Sequence, residues 1–62
     1  MKVFKHGVAA ERWSWDRKKE VQYWLRENFG PMGERWNIHH DFNLINYEMD
    51  EQVYATFILR WE

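Results

Sequence analysis

Apolar residues recur at helical spacing in the second quarter of the chain. Ser14 is a favourable N-cap residue just before this pattern. Gly30 can adopt the left-handed conformation that ends many helices, and Pro31 cannot continue one. The pattern therefore predicts a helix from Trp15 to about Asn28. At about 100° per residue, its apolar side holds Trp15, Val21, Trp24, Leu25, Asn28 and Phe29, and its polar side holds Asp16, Lys19, Glu20, Tyr23, Arg26 and Glu27.

Alternation of apolar and polar residues predicts three strands elsewhere. The first runs from Met1 to His6 and ends near Gly7. The other two form an antiparallel hairpin that turns around residues 40–43. The second strand runs from Arg35 to His39 with Trp36 and Ile38 on one face, and the third runs from Leu44 to Met49 with Ile45, Tyr47 and Met49 alternating against Asn46 and Glu48.

The last segment fits either a helix or a strand. As a helix it is capped by Asp50, has Glu51 in its first turn, and carries a polar stripe at Gln52, Thr56 and Arg60. As a strand it alternates residues of high β-propensity. We favour the helix, which predicts a small α+β domain of order βαββα, with βαββ and a C-terminal strand as the alternative. The buried side of the helix would hold Val53, Tyr54, Phe57, Ile58 and Trp61.

Length and composition predict a single domain over residues 1–62. A chain of 62 residues cannot be divided into two cores. Five Trp, four Phe and three Tyr let a few large side chains supply the buried area, since each aromatic buries roughly 150–250 Å². The chain has no Cys, and it begins without the apolar run of a signal peptide. We therefore expect a soluble, cytoplasmic protein that does not enter membranes.

Residues with catalytic or metal-binding chemistry are scattered. His39, His40 and Asp41 are the one cluster with metal-ligand character, but adjacent histidines on a strand point to opposite faces. A capping role already accounts for Asp50 among the acidic residues. No nucleophile or phosphate-binding motif is present. The sequence predicts no enzyme activity, no cofactor and no metal.

Two surfaces are candidates for binding a partner. On the exposed face of the first helix, Tyr23 lies between Lys19 and Arg26, and Tyr and Arg are enriched in binding hot spots. Aromatics also alternate with cations before and into this helix, a pattern typical of single-stranded nucleic-acid binding, although the same Trp13 and Trp15 could instead pack onto the sheet. We favour this packing for Trp13 and Trp15. Of the aromatics, we expect Tyr23 to lie outside the core, with Trp13 outside it as the alternative. The nucleic-acid candidates are Arg12, Trp13, Arg17, Lys18 and Lys19.

Charge is divided unevenly between the two ends of the chain. Residues 1–19 hold six Lys or Arg and two acids, whereas residues 41–62 hold one Arg and five acids. The two ends could therefore form a bipolar surface that steers a charged partner. If the fold places them side by side, their charges instead partly cancel.

Two stretches together resemble small, uncharacterised proteins of tailed bacteriophages: W-L-R-E-N-F-G-P-M-G-E-R-W at Trp24 to Trp36, and D-E-Q-V-Y-A-T-F-I-L-R-W at Asp50 to Trp61. In that group a helix ends at a G-P-x-G-x-R-W turn and the chain finishes with F-x-L-R-W. The β-branched and aromatic run from Val53 to Phe57 departs from the usual small and acidic residues. The resemblance implies a βαββα plan and a phage origin, with the host cytoplasm as its location, but no activity.

These observations favour a non-enzymatic protein-binding module. With a phage origin, it would be an accessory protein that inhibits or modulates a host enzyme or defence system, and its partner would be a host or phage protein. One alternative is a small single-stranded nucleic-acid-binding protein. A second alternative is a virion or assembly component that works by self-association.

Overall fold

Three strands and two helices follow one another in the order β-α-β-β-α in a computed structural model that describes residues 3–62. The strands form one antiparallel sheet in the order β1-β3-β2. The predicted small α+β fold of order βαββα is confirmed, and the last segment is a helix. The elements are β1 Phe4–Ala9, α1 Trp15–Phe29, β2 Trp36–Asp41, β3 Leu44–Met49 and α2 Glu51–Trp61.

Strand pairing places alternate residues on two different sides of the sheet. Val8 pairs with Ile45, and Ile45 pairs with His40, so these three lie side by side. Every second residue from them shares their side, which we call the helix-facing side. The buried residues of the strands all lie there, because both helices pack on it; they are Val8, Trp36, Ile45, Tyr47 and Met49. The opposite, open side carries Lys5, Asn37, His39, Asp41, Leu44, Asn46 and Glu48.

Helix α1 begins and ends where the sequence predicts. The Ser14 hydroxyl oxygen accepts a hydrogen bond from the Arg17 backbone N–H at 3.2 Å, which satisfies one of the free donors of the first turn. Gly30 has a φ of 89° and its N–H donates to the Arg26 carbonyl. Val21 and Leu25 are completely buried. The placement of Trp15 on the buried side was wrong, because the first turn lines an open groove and leaves this side chain 71% exposed.

Helix α2 is capped by Asp50, as the favoured interpretation predicts. Its Oδ1 accepts from the Val53 backbone N–H at 2.9 Å, and its Oδ2 accepts from Arg35 Nε at 2.8 Å. The Arg35 hydrogen bond and the cap lower the pKa of Asp50. Val53, Phe57 and Trp61 are the buried residues of the helix. Neither helix in the described chain has the length and apolar character needed to cross a membrane.

Aromatic rings fill the space between the helices and the sheet. The Phe57 ring centre lies 5.2 Å from that of Tyr47, and Trp13 lies 5.9 Å from Tyr47 and 6.4 Å from Trp61. Trp13 is only 5% exposed, so the favoured packing is confirmed for it and the alternative position outside the core is wrong. Its position just before α1 turns the ring inward against both α2 and β3.

Two predicted strand boundaries also need correction. Strand β1 continues through Gly7 to Ala9, because residues 7–9 pair antiparallel with residues 44–46 of β3. Met1 and Lys2, the predicted start of this strand, lie outside the described residues. Strand β2 extends to Asp41, so the hairpin loop consists of residues 42 and 43 alone.

Candidate interaction groove

A groove of about 320 Å³ opens between the N-terminal half of α1 and the helix-facing side of strands β2 and β3. Successive turns of α1 form one wall because its lining residues follow helical spacing. Strand residues form the floor, and the loop after α1 closes one end. We call this feature the α1 groove; it is lined by Trp15, Lys18, Lys19, Gln22, Met32, Ile38, His40, Ile45 and Tyr47.

The α1 groove combines a packed apolar floor with exposed apolar residues at its mouth. Ile45 and Tyr47 in the floor are each only 2% exposed. At the mouth, Trp15 is 71% and Met32 is 51% exposed. Isolated exposed apolar side chains are ordinary, but apolar residues that line one shared concavity are typical of binding sites. Ile45 and Tyr47 belong to the hydrophobic core, so packing against the sheet and both helices sets their positions.

Charge at the α1 groove is positive. Lys18 and Lys19 lie on its helical wall, and of the described residues that line it none is acidic. Across residues 3–62, neither lysine takes part in an ion pair. The ammonium groups are therefore available to a negatively charged ligand, which they would meet beside apolar surface.

Tyr47 supplies a neutral polar group to the floor. Burial raises the pKa of its hydroxyl to about 12, because the charged phenolate loses its hydration in the interior. Its ring is fixed between Trp13 and Phe57. Within the described chain no protein group hydrogen-bonds to the hydroxyl, so it keeps its donor and acceptor capacity at neutral pH.

The predicted partner-binding residues adjoin this groove. Lys19, Tyr23 and Arg26 all lie exposed on one flank of α1, with Tyr23 59% exposed as predicted. Lys19 belongs both to this flank and to the groove wall. We call the three residues the α1 flank. The groove and the flank thus form one continuous surface, whose role in binding stays a prediction.

The structure does not bring the five predicted nucleic-acid residues together as one surface. Trp13 is buried. Arg12 donates to the Glu62 carboxylate at 2.8 Å, and the Arg17 guanidinium lies 5.2 Å from the Trp61 ring centre. Only Lys18 and Lys19 remain without a charged or aromatic partner among the described residues. The exposed aromatic beside them is Trp15, which was not among the candidates.

Glu62 joins the two ends of the chain. Its carboxylate accepts from Arg12 and contacts His6 Nε2 at 2.7 Å. The hydrogen bond from Arg12, followed by that from His6, lowers the pKa of Glu62. The Arg12 guanidinium therefore lies directly against the acidic end of the chain, and this part of the predicted charge asymmetry cancels.

The two adjacent histidines lie on opposite sides of β2. His39 on the open side has its Nε2 3.0 Å from Glu48 Oε1, whereas His40 lines the α1 groove. The structure thus separates the residues of the predicted His39, His40 and Asp41 cluster. Over residues 3–62, no group of three or more His, Cys, Asp or Glu side chains is arranged to hold a metal ion.

The hairpin loop contains a feature that the sequence analysis missed. Phe42 has a φ of 52° and is fully exposed, at 101% of its reference area. In two-residue hairpin loops the first central residue has positive φ and is usually Asn, Asp or Gly. A Phe-Asn pair between two strands was the available signal. The groove floor was also missed, because Ile38, Ile45 and Tyr47 come together only through the register in which β2 and β3 pair.

Comparison of the chain with protein-family models, with curated proteins and with solved structures found no match. The resemblance to phage proteins therefore remains a prediction.

Proposed function

We propose that this chain is a non-enzymatic protein-binding module that uses the α1 groove and the α1 flank to bind an acidic segment of a partner protein. The observation that carries the proposal is a single surface in which an apolar floor lies beside two lysines that have no ionic partner among residues 3–62. Such a surface matches a segment that offers one aromatic or aliphatic anchor flanked by carboxylates.

The α1 flank extends this surface with residue types common in hot spots. Tyr23 presents a large rigid side chain, and Arg26 presents a planar guanidinium that can pair with a carboxylate in two hydrogen bonds. A partner that inserts an anchor into the groove would reach the flank through Lys19, which belongs to both.

A protein partner is favoured over nucleic acid because two of the basic residues near α1 already contact other side chains of the chain. Arg12 and Arg17 are engaged with Glu62 and Trp61, and Trp13 is buried. Two lysines neutralise few phosphates, and nucleic-acid affinity comes largely from such neutralisation. The chain as a whole carries a net charge of −1, which opposes binding to a polyanion. The phage-like motifs add to the proposal that the partner is a host protein whose activity the module inhibits.

Selection from a library of random linear peptides displayed on yeast tests the proposal without knowledge of the partner. We expect enrichment of peptides that combine an aromatic or large aliphatic residue with Asp or Glu. Lys19→Glu should weaken binding of the selected peptides roughly tenfold, as expected for loss of about 1.4 kcal/mol. Lys5→Glu is the control, since it makes the same charge change on the open side of the sheet. Because it also breaks the ion pair between Lys5 and Glu48, circular dichroism must show that its fold is unchanged.

Three results would overturn the proposal. One is the absence of any enriched peptide, and another is equal weakening by Lys19→Glu and Lys5→Glu. The third is quenching of Trp fluorescence by oligothymidine that weakens with salt and that Lys18→Glu abolishes. This result would show that the surface binds single-stranded nucleic acid instead.

A further inference from the structure

The hairpin loop between β2 and β3 contains a residue, Phe42, that destabilises the monomer. Phe42 occupies the left-handed backbone region, where Asn or Gly is favoured and a bulky residue is strained. Its side chain gains no compensating burial, because it is fully exposed. Local strain combined with an exposed aromatic points to a role outside the monomer, since neither feature helps the chain to fold.

The loop has the chemistry that the α1 groove requires of a ligand. Phe42 provides an aromatic anchor, and the neighbouring Asp41 provides an exposed carboxylate that forms no ion pair within residues 3–62. The groove offers an apolar floor beside Lys18 and Lys19. A cavity of roughly 150 Å³ holds a benzene ring, so a groove of about 320 Å³ has room for a phenyl ring.

We propose that this hairpin tip, defined as Asp41, Phe42 and Asn43, docks into the α1 groove of a second copy of the chain. The tip does not fill the groove of its own chain, because Phe42 is absent from the lining and remains fully exposed. This docking rests on the proposed function, because it uses the same groove. The occupant is the hairpin tip of a second copy of the chain.

The position of the tip makes the contact self-complementary. Asp41 directly follows His40, which lines the groove, so tip and groove are neighbours on the surface. A two-fold axis beside them brings each tip to the groove of the other copy and forms two identical contacts, as isologous dimers do. The charges pair as well, because Asp41 of each copy meets the lysines of the other. Each contact has one aromatic anchor, so the dimer is weak and forms at high protein concentration.

Sedimentation equilibrium of the full chain, extended to millimolar concentration, tests this proposal. The wild type should dimerise, and Phe42→Gly should reduce dimerisation at least tenfold while circular dichroism shows an unchanged fold. Leu59→Ser is the matched control, because Leu59 is also a highly exposed apolar residue, at 88%, but lies on α2. It should leave dimerisation unchanged.

A charge exchange separates docking from a structural effect. Asp41→Lys and Lys19→Glu should each weaken the dimer, whereas the double variant should restore it, because opposite charges again face each other across the interface. A wild type that stays monomeric throughout, a Phe42→Gly variant that dimerises like the wild type, or a double variant weaker than both single ones would overturn the proposal. If dimerisation fails while Lys19→Glu still weakens peptide binding, the proposed function stands and only the self-docking is refuted.

Discussion

Replacement of Phe42 by Asn should stabilise the monomer, although it removes a large apolar side chain. A left-handed backbone costs an ordinary L-residue roughly 1–2 kcal/mol, and Phe42 holds a φ of 52°. Asn tolerates this region because its short polar side chain hydrogen-bonds locally. No burial is lost, since the Phe42 side chain is fully exposed. We therefore expect a gain in unfolding free energy of about 0.5–1 kcal/mol.

Thermal and urea unfolding at micromolar concentration, well below the range in which we propose dimerisation, measure this gain. For a domain of this size it corresponds to a rise in Tm of roughly 2–8 °C. Phe42→Ala is the control, because it removes the same ring but keeps the backbone penalty, so it should leave stability nearly unchanged. A Phe42→Asn variant that is less stable than the wild type, or no more stable than Phe42→Ala, would refute the strain argument.

Three further substitutions test the core, the α2 cap and the groove floor. Phe57→Ala should cost about 3–5 kcal/mol and leave the chain largely unfolded by circular dichroism, since Phe57 is completely buried among aromatic rings; a cooperative transition near that of the wild type would contradict this. Asp50→Ala should lower the free energy of unfolding in urea by about 1–2 kcal/mol. Asp50→Asn should lower it clearly less, because Asn retains the cap. Equal losses would show that the ion pair with Arg35, rather than the cap, is the main contribution of Asp50. Burial raises the pKa of Tyr47 from 10.0 to about 12. The neutral Tyr47 side chain therefore stabilises the fold fully below pH 10, and this stabilisation is lost as the pH rises towards 12. Phenolate absorbance and unfolding should therefore rise together in that range, and in Tyr47→Phe the unfolding that accompanies this titration should be absent; persistence of the same alkaline transition would contradict the assignment.

Local signals predicted the secondary structure because each helix carries its own capping chemistry. Ser14 and Gly30 delimit α1 as the sequence indicates, although Gly30 combines its positive φ of 89° with an extended ψ of −174°. For the last segment, Asp50 decided between helix and strand, since its carboxylate caps the first turn. A run of β-branched and aromatic residues favoured a strand there, but packing against β3 overrides intrinsic β-propensity.

Which aromatic residues are buried could not be predicted from one helix alone. Trp13 and Trp15 are two residues apart, yet Trp13 is buried and Trp15 is exposed. The difference arises because Trp13 faces Tyr47 and Trp61, whereas Trp15 overhangs the groove. Only the packing of α2 on the sheet determines those neighbours.

The candidate site depends on long-range pairing in the same way. Lys19, Tyr23 and Arg26 were found from the helical pattern because they share one flank of α1. Ile38 and Ile45 join them only when β2 and β3 pair in the observed register. A helical wheel can therefore identify one wall of a groove but not its floor.

The central claim is that the α1 groove binds an acidic segment with an aromatic anchor. An NMR titration of the isotope-labelled chain with a short synthetic peptide, one Phe flanked by Asp residues, tests it most directly. We predict the largest shift changes at the Trp15 indole, the Met32 methyl group and Ile38, with little change at Lys5 and His39 on the open side of the sheet. Shift changes confined to the open side, or saturable binding that leaves the groove signals unmoved, would contradict the claim.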